Sequence, residues 1–285
     1  MKCDNLLLDS YNLIHRSRFD WGGGPATGEN QIIYNLLKSI KPILEKFEPK
    51  KVYFVLDGVP SARLALDASY KGTRVHSTST PEEIAYWASF HSQKRTIIDI
   101  VKAVFPFTTV YHPDFECDDI LNDLAITEPG DNVIVSADTD FIQSLDLSPR
   151  VRLYNPISQL FREKMDVDYA SYKSLVGDTS DNIPGVKGIG KVGAIKLLRD
   201  ESLLDKRIIS DPTFKAQFDH SYALVKFADV APVKPEIQHF VGDFSRDAFY
   251  VLLSKLNLPS MLAEPYHSRY CDVLEKIGKE SESWA

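Results

Sequence analysis

Two carboxylates three residues apart, Asp178 and Asp181, stand just before a glycine-studded turn in the run GDTSDNIPGVKGIGKVGA, residues 177–194. At that spacing they share one face of a helical turn and can hold a hard cation between them. Gly185, Gly188 and Gly190 let the backbone bring N–H groups up to a phosphate at the start of the next helix, with Lys187 and Lys191 adding charge. A cation site and a phosphate-backbone clamp on one segment point to chemistry on nucleic acid. The plain alternative is a solvated loop of turn formers.

Seven further acids fit the same chemistry. Asp9, Asp57 and Asp138 each close a short apolar run; Glu116, Asp118 and Asp119 lie in ECDD, and Asp140 lies in SADTD. Taken singly, each reads equally well as a helix N-cap or turn residue. Together they would bring acid to one edge of one sheet, at a cost of several kcal/mol unless cations neutralise it. All-oxygen ligation selects Mg2+ or Mn2+ over zinc. Two such ions ~4 Å apart suit phosphodiester hydrolysis, where they activate a water and stabilise the leaving oxygen. Arg63, Lys71 and Arg74 follow the Asp57 run in SARLALDASYKGTR and suit a clamp on the scissile phosphate; a solvated basic loop is the alternative.

The elements that must position these residues alternate. The runs NLLLD (5–9), KVYFVLD (51–57), TTVYH (108–112), NVIVSAD (132–138) and VRLYN (151–155) read as strands, with helical patterns at 29–47 and 81–104 and in DDILNDLAI and TDFIQSL. This βαβα order predicts an α/β fold, a parallel sheet with helices on both faces and ligands at the carboxyl ends of its strands. From about residue 166 onward the pattern is helical, and the segment after residue 200 carries no readable chemistry.

The chain has 285 residues, 44% apolar and 26% charged, with no repeat or low-complexity segment, as expected of an ordinary globular protein. No apolar run approaches the about 18 residues needed to span a membrane, and MKCDNLLLDS meets an aspartate too early for a signal peptide. Cys3, Cys117 and Cys271 show no metal-ligand spacing and leave an odd thiol, so a reducing, cytoplasmic setting is expected. The net charge of −7 argues weakly against a polyanionic partner, but setting the nine candidate ligands aside leaves bases slightly in excess.

From Leu6 to about Leu198 these features resemble the 5′-nuclease family, which includes bacteriophage flap endonucleases and the N-terminal domain of bacterial DNA polymerase I. The resemblance rests on Asp9 and Asn12 as D-x-x-N, Asp57-Gly58, YKGTR at 70–74, ECDD at 116–119, SADTDFIQ at 136–143 and the 177–194 run, in the family's order. It implies a PIN-like parallel-sheet nuclease core over 1–160 with a helical arch near 72–104. Residues 161–285 then form a helical C-terminal domain, with a helix-three-turn-helix at about 172–199 that grips duplex backbone around a K+ ion. By resemblance Asp9, Asp57, Glu116, Asp118 and Asp119 hold a first Mg2+ or Mn2+, and Asp138, Asp140, Asp178 and Asp181 a second. Lys71 and Arg74 match bases that contact the scissile phosphate. Lys94 and Arg95 fall where the arch lies, lining it or forming a solvated helix face. Tyr86, Trp87 and Phe90 are bulky for a polar arch; at helical spacing they read more readily as packing than as stacking residues. The implied activity is 5′–3′ exonuclease and flap endonuclease cleavage in replication or repair, by a monomer acting on flaps, nicked duplexes or an RNA primer in a hybrid, in host cytoplasm if phage-encoded.

Three rival readings remain. An aspartyl phosphatase usually carries D-x-D on its first strand, where this chain has Asp9-Ser10-Tyr11. A PIN-fold ribonuclease needs only about four acids and no lysine-bearing turn. A non-catalytic structure-specific DNA-binding module predicts broken acidic sites, and none of the nine is missing.

Overall fold

A computed structural model describes every residue except Trp21, residues 75–79 and residues 283–285, so part of the expected arch lies outside the described residues. The first half follows the alternating pattern. Strand β1 (Asn5–Asp9) runs into helix α1 (Ser10–Arg16) and then α2 (Gln31–Phe47). Strand β2 (Lys51–Val55) is followed by α3 (Ser61–Leu66) and α4 (Pro81–Val104), and β3 (Thr108–Tyr111) by α5 (Cys117–Thr127). Next come β4 (Asn132–Val135), α6 (Ile142–Leu147), β5 (Val151–Asn155) and β6 (Leu160–Arg162). The remainder is α7 (Tyr169–Val176), α8 (Lys191–Arg199), α9 (Glu201–Ser210), α10 (Pro212–Val225), β7 (Gln238–Val241), α11 (Arg246–Lys255), α12 (Pro259–Leu262) and α13 (Tyr266–Glu282).

The sheet order is β6-β5-β4-β1-β2-β3-β7. The five inner strands are parallel, as expected, while β6 and β7 are antiparallel edges that the sequence reading did not foresee. The chain leaves β1 towards β2 and β3 on one side and returns to β4 and β5 on the other. The topological switch therefore falls between β1 and β4, where an open α/β sheet forms its ligand crevice.

Period-two alternation divides the core. Leu6, Leu8, Phe54 and Val133 face α2, α4, α11 and α13, whereas Leu7, Val55, Ile134 and Leu153 face α5 and α6. Helices α7 to α10 enclose a smaller core around Leu175, Val186, Ala194 and Phe214. Beyond residue 237 the chain returns to the sheet: β7 pairs with β3, and the Tyr270 hydroxyl donates to the Leu37 carbonyl at 3.0 Å. Residues 238–282 thus pack on the sheet and its covering helices rather than on α7 to α10.

Helix α4 is started by a capping box. The Thr80 hydroxyl accepts the Glu83 N–H at 3.2 Å, Glu83 accepts the Thr80 N–H, and Pro81 occupies the first helical position. From Phe90 onward one side of it is packing surface, with Phe90, Ile97 and Val101 buried in the core.

Candidate active site

At the carboxyl end of β1, Asp9 is 3% exposed. One of its oxygens caps α1 by accepting the Asn12 N–H at 3.0 Å, and the other accepts the Ser136 hydroxyl at 2.6 Å. Asn12 Oδ1 accepts the Ala137 N–H at 3.2 Å, so the D-x-x-N pair joins the β1 end to the loop after β4 across the topological switch. Asp57 follows β2 and accepts the Cys117 N–H at 3.0 Å. Burial, then the charges of Asp138 and Asp57, raise the Asp9 carboxyl; burial, then Asp9 and Asp138, push Asp118 up much further. No hydrogen bond or ion pair to the Asp118 side chain is present among the described residues. An Asp9 oxygen, an Asp118 oxygen and Cys117 Sγ lie within 4.8 Å of one another.

A second group gathers Asp140, Asp178 and Asp181, again with ligand atoms within 4.8 Å of one another. Asp138 stands beside both groups: it raises the Asp9 and Asp140 carboxyls, and its Oδ1 accepts the Asp140 N–H at 2.9 Å. Burial, then Asp138, lifts Asp140 to about 6. Burial opposes the Asp178 charge, but Lys173 and Ser180 outweigh it and bring its carboxyl down to about 2. The donor sets suit hard divalent cations, since both offer several carboxylate oxygens.

Basic residues bridge the groups. Lys71 Nζ is ion-paired with Glu116 and lies 3.7 Å from Asp181, and Arg74 is paired with Asp181. The buried Tyr70 hydroxyl reaches Glu116 at 3.1 Å and Asp181 at 3.4 Å. Lys173 Nζ lies 2.6 Å from Asp140 Oδ1 and is also paired with Asp178. The sequence reading missed Lys173, Tyr70 and Ser136. Lys173 sits five residues before Asp178, on a helix whose polar face alone did not mark it as functional.

Arg63 requires a correction. It was expected to clamp a phosphate, but it is 7% exposed and all five of its N–H donors are used. They bond the Leu224 and Lys226 carbonyls, Glu116 at 2.8 Å and both Asp119 oxygens at 2.7 and 2.8 Å. Arg63 braces the Glu116 and Asp119 carboxylates and has no donor left for substrate. Asp119, expected as a ligand, is 1% exposed with both oxygens on Arg63 and one also accepting the Ala228 N–H, which makes it part of the brace behind the other carboxylates.

Lys94 faces the site. It lies 4.5 Å over the Tyr11 ring and lines a cavity of about 220 Å³ with Asp57, Lys102 and Tyr111, where burial lowers its basicity. Arg95, the next residue on α4, is exposed. Phe90 is buried core, and Trp87 packs against it with Arg18 4.8 Å over its ring.

In the clamp turn, Gly185 and Gly188 take φ of +68° and +83°. A Cβ on Gly185 would meet the Gly177 nitrogen at 2.5 Å, so this glycine serves turn packing rather than ligand approach. A Cβ on Gly188 or Gly190 meets nothing within 4 Å, leaving open space in front of the α8 N-terminus. Lys187 and Lys191 are exposed, and the Lys187 N–H is bonded to Gln217 at 3.1 Å.

Residues 4–174 match the family described as 5′-3′ exonuclease, N-terminal resolvase-like domain, and residues 166–241 match its C-terminal SAM fold. The chain belongs to the 5′-3′ exonuclease family. It is 34% identical over 214 residues to the thermostable DNA polymerase I of Thermus thermophilus, covering 70% of this chain and 24% of that protein. To DNA polymerase I of Chloroflexus aurantiacus it is 28% identical over 306 residues, covering 91% and 31%. The chain thus spans about a quarter to a third of the length of these relatives. Its fold is shared by a bacteriophage T5 flap endonuclease pseudo-enzyme–product complex with DNA and metal ions (TM-score 0.66, 18% identity, 96% and 99% coverage). It is also shared by flap endonuclease-1 from Methanococcus jannaschii (TM-score 0.62, 14% identity, 100% and 94% coverage). Among the described residues no helix is long and apolar enough to cross a membrane.

Proposed function

We propose that this chain is a structure-specific 5′ nuclease that hydrolyses DNA phosphodiesters at two divalent cations, Mg2+ or Mn2+. The observation that carries the reading is the pairing of two carboxylate groups at one sheet edge with Lys71 between them. Asp9, Asp57, Asp118 and Glu116 would hold the first ion, and Asp138, Asp140, Asp178 and Asp181 the second. When bound, the ions supply an activated water and a Lewis acid for the leaving oxygen. The chain's own residues do the rest. Lys71 and Arg74 offer charge to the scissile phosphate, and Arg63 and Tyr70 fix the carboxylates. Lys187, Lys191 and the Gly188–Gly190 backbone hold duplex phosphates and so set the distance from duplex to site. Lys94, beside Asp57, guides the 5′ strand under the α4 arch; Arg95, on the exposed side, adds charge.

Branched or 5′-ended DNA is the proposed substrate, as flap, nicked duplex or primer hybrid, with K+ at the clamp turn. The T5 and Methanococcus jannaschii neighbours are flap endonucleases by name, and DNA is bound in the T5 complex. The second carboxylate group favours this reading over a PIN-fold ribonuclease, and the intact acids favour it over a binding module. A 5′-labelled flap incubated with and without Mg2+ tests it: release of the labelled flap only with Mg2+ supports the proposal, and no product in either sinks it.

A further inference from the structure

Cys117 stands within the first carboxylate group, and the proposed cleavage makes no use of it. Its Sγ lies 3.8 Å from Asp9 Oδ1 and is 3.3 Å from the Val55 carbonyl, to which it donates. Its own N–H is held by Asp57, so a third acid fixes its backbone. As the first residue of α5, it is placed by the helix one step before Asp118, whose carboxylate has no hydrogen bond or ion pair among the described residues.

We propose that Cys117 makes the first ion site a mixed oxygen–sulfur site that captures a thiophilic divalent cation, Zn2+ or Cd2+, through Asp9, Cys117 and Asp118. The inference rests on the two-ion reading and adds a metal preference that an all-oxygen site lacks. Carboxylates alone favour hard cations, and one thiolate among them shifts the preference towards zinc and cadmium. The spacing fits: tetrahedral zinc with its usual bond lengths sets sulfur and oxygen about 3.5 Å apart. That is close to the 3.8 Å found between Cys117 Sγ and Asp9 Oδ1. Coordination breaks the Cys117 hydrogen bond to Val55 and releases the thiol proton to solvent. The Val55 carbonyl is not orphaned, because the Ser10 hydroxyl also donates to it. A cation held this way occupies the first site in competition with Mg2+ and arrests cleavage. Cys3 and Cys271 are buried elsewhere in the fold and serve as internal controls.

The test titrates metal-free protein with Cd2+ and follows the ultraviolet thiolate-to-cadmium charge-transfer band. The proteins are wild type, Cys117→Ser, Cys117→Ala and a Cys3→Ala, Cys271→Ala double variant. Serine retains a hydroxyl that can donate to Val55, so it guards against misfolding, and Ca2+ binding by calorimetry reports an intact site. The proposal expects the band in wild type and the double variant and its loss in both Cys117 variants. The ratio of Zn2+ to Ca2+ affinity should fall about 10-fold or more on loss of the thiol. A band that persists without Cys117 overturns the proposal. A wild type that binds Ca2+ but shows no band also overturns it and leaves the two-ion reading standing, whereas one that binds neither cation overturns both.

Discussion

Lys71 donates its backbone N–H to the Asp181 carbonyl at 2.9 Å while its ammonium is paired with Glu116. One residue thus ties the segment that follows α3 to both carboxylate groups. Its backbone holds φ at +56°, in the left-handed region, and the hydrogen bond to Asp181 helps fix it there. Lys71→Ala keeps that backbone bond and removes the charge. It should lower the single-turnover rate by about 10²–10³ with a much smaller effect on duplex affinity. Loss of affinity alone would make Lys71 a surface contact.

Lys173 neutralises Asp140 and Asp178 from a largely buried position. Lys173→Met should leave two carboxylates without their counter-charge and cost the metal-free protein about 3–5 kcal/mol. Divalent cation should recover much of that loss. Thermal unfolding in chelator and in Ca2+ measures both effects, and equal losses in the two conditions would separate Lys173 from the ion site.

Adjacent acids should behave oppositely. Asp118→Asn removes a charge on which burial and the neighbouring Asp9, Asp138 and Asp57 outweigh the attraction of Lys71, so metal-free stability should rise while cleavage falls. Asp119→Asn removes the charge and one of the two acceptor oxygens that pair with the buried Arg63, and should destabilise the fold by about 3–5 kcal/mol. Unfolding curves of the two variants in chelator check this, and similar curves would refute the separation of their roles.

The pH response has a definite sign. Asp140 is raised from 3.8 to about 6, so the metal-free folded state binds more protons than the unfolded chain between those values. Its contribution to stability therefore declines as pH rises through that window, and raised Asp9 acts in the same direction. Asp178, lowered to about 2, contributes stability above 3.8 that is lost as pH falls towards 2. The gain in Tm from Mg2+ should consequently be larger at pH 7 than at pH 4. A gain independent of pH would contradict this electrostatic account.

The clamp predicts a salt effect. Replacing Lys187 and Lys191 by Ala should reduce the salt slope of duplex binding by about 1–2 and weaken all sequences alike. Gly190 has φ of −95°, which a side chain accepts, so Gly190→Val is not strained by an unfavourable φ as might be assumed from a glycine-rich turn. Any loss of binding in that variant comes from steric exclusion of DNA, readable as lost affinity with unchanged Tm.

The inner sheet could be read from the sequence because its strands are short apolar runs, and Asp9, Asp57 and Asp138 could be placed at its edge because they close those runs; Asp119, read as a ligand, proves to be a brace on Arg63. Other features could not be read this way. Strand β6 has three residues and β7 is exposed along its length, so neither carries a periodic signal. The brace between Arg63 and Asp119 spans 56 positions and depends on helix α10 arriving behind it, as does the burial that turns an apparent phosphate clamp into a scaffold. Lys173 and Cys117 gained their roles from tertiary proximity; neither had a spacing that announced it.

The central claim is two-ion cleavage of 5′-ended DNA, and single-turnover hydrolysis of a 5′-labelled flap by wild type and Asp138→Asn tests it most directly. The account predicts labelled product from wild type in Mg2+, none in EDTA, and loss of most of the rate in Asp138→Asn, with flap binding in Ca2+ retained by both. Robust cutting in excess chelator, or a full rate from Asp138→Asn, would contradict it.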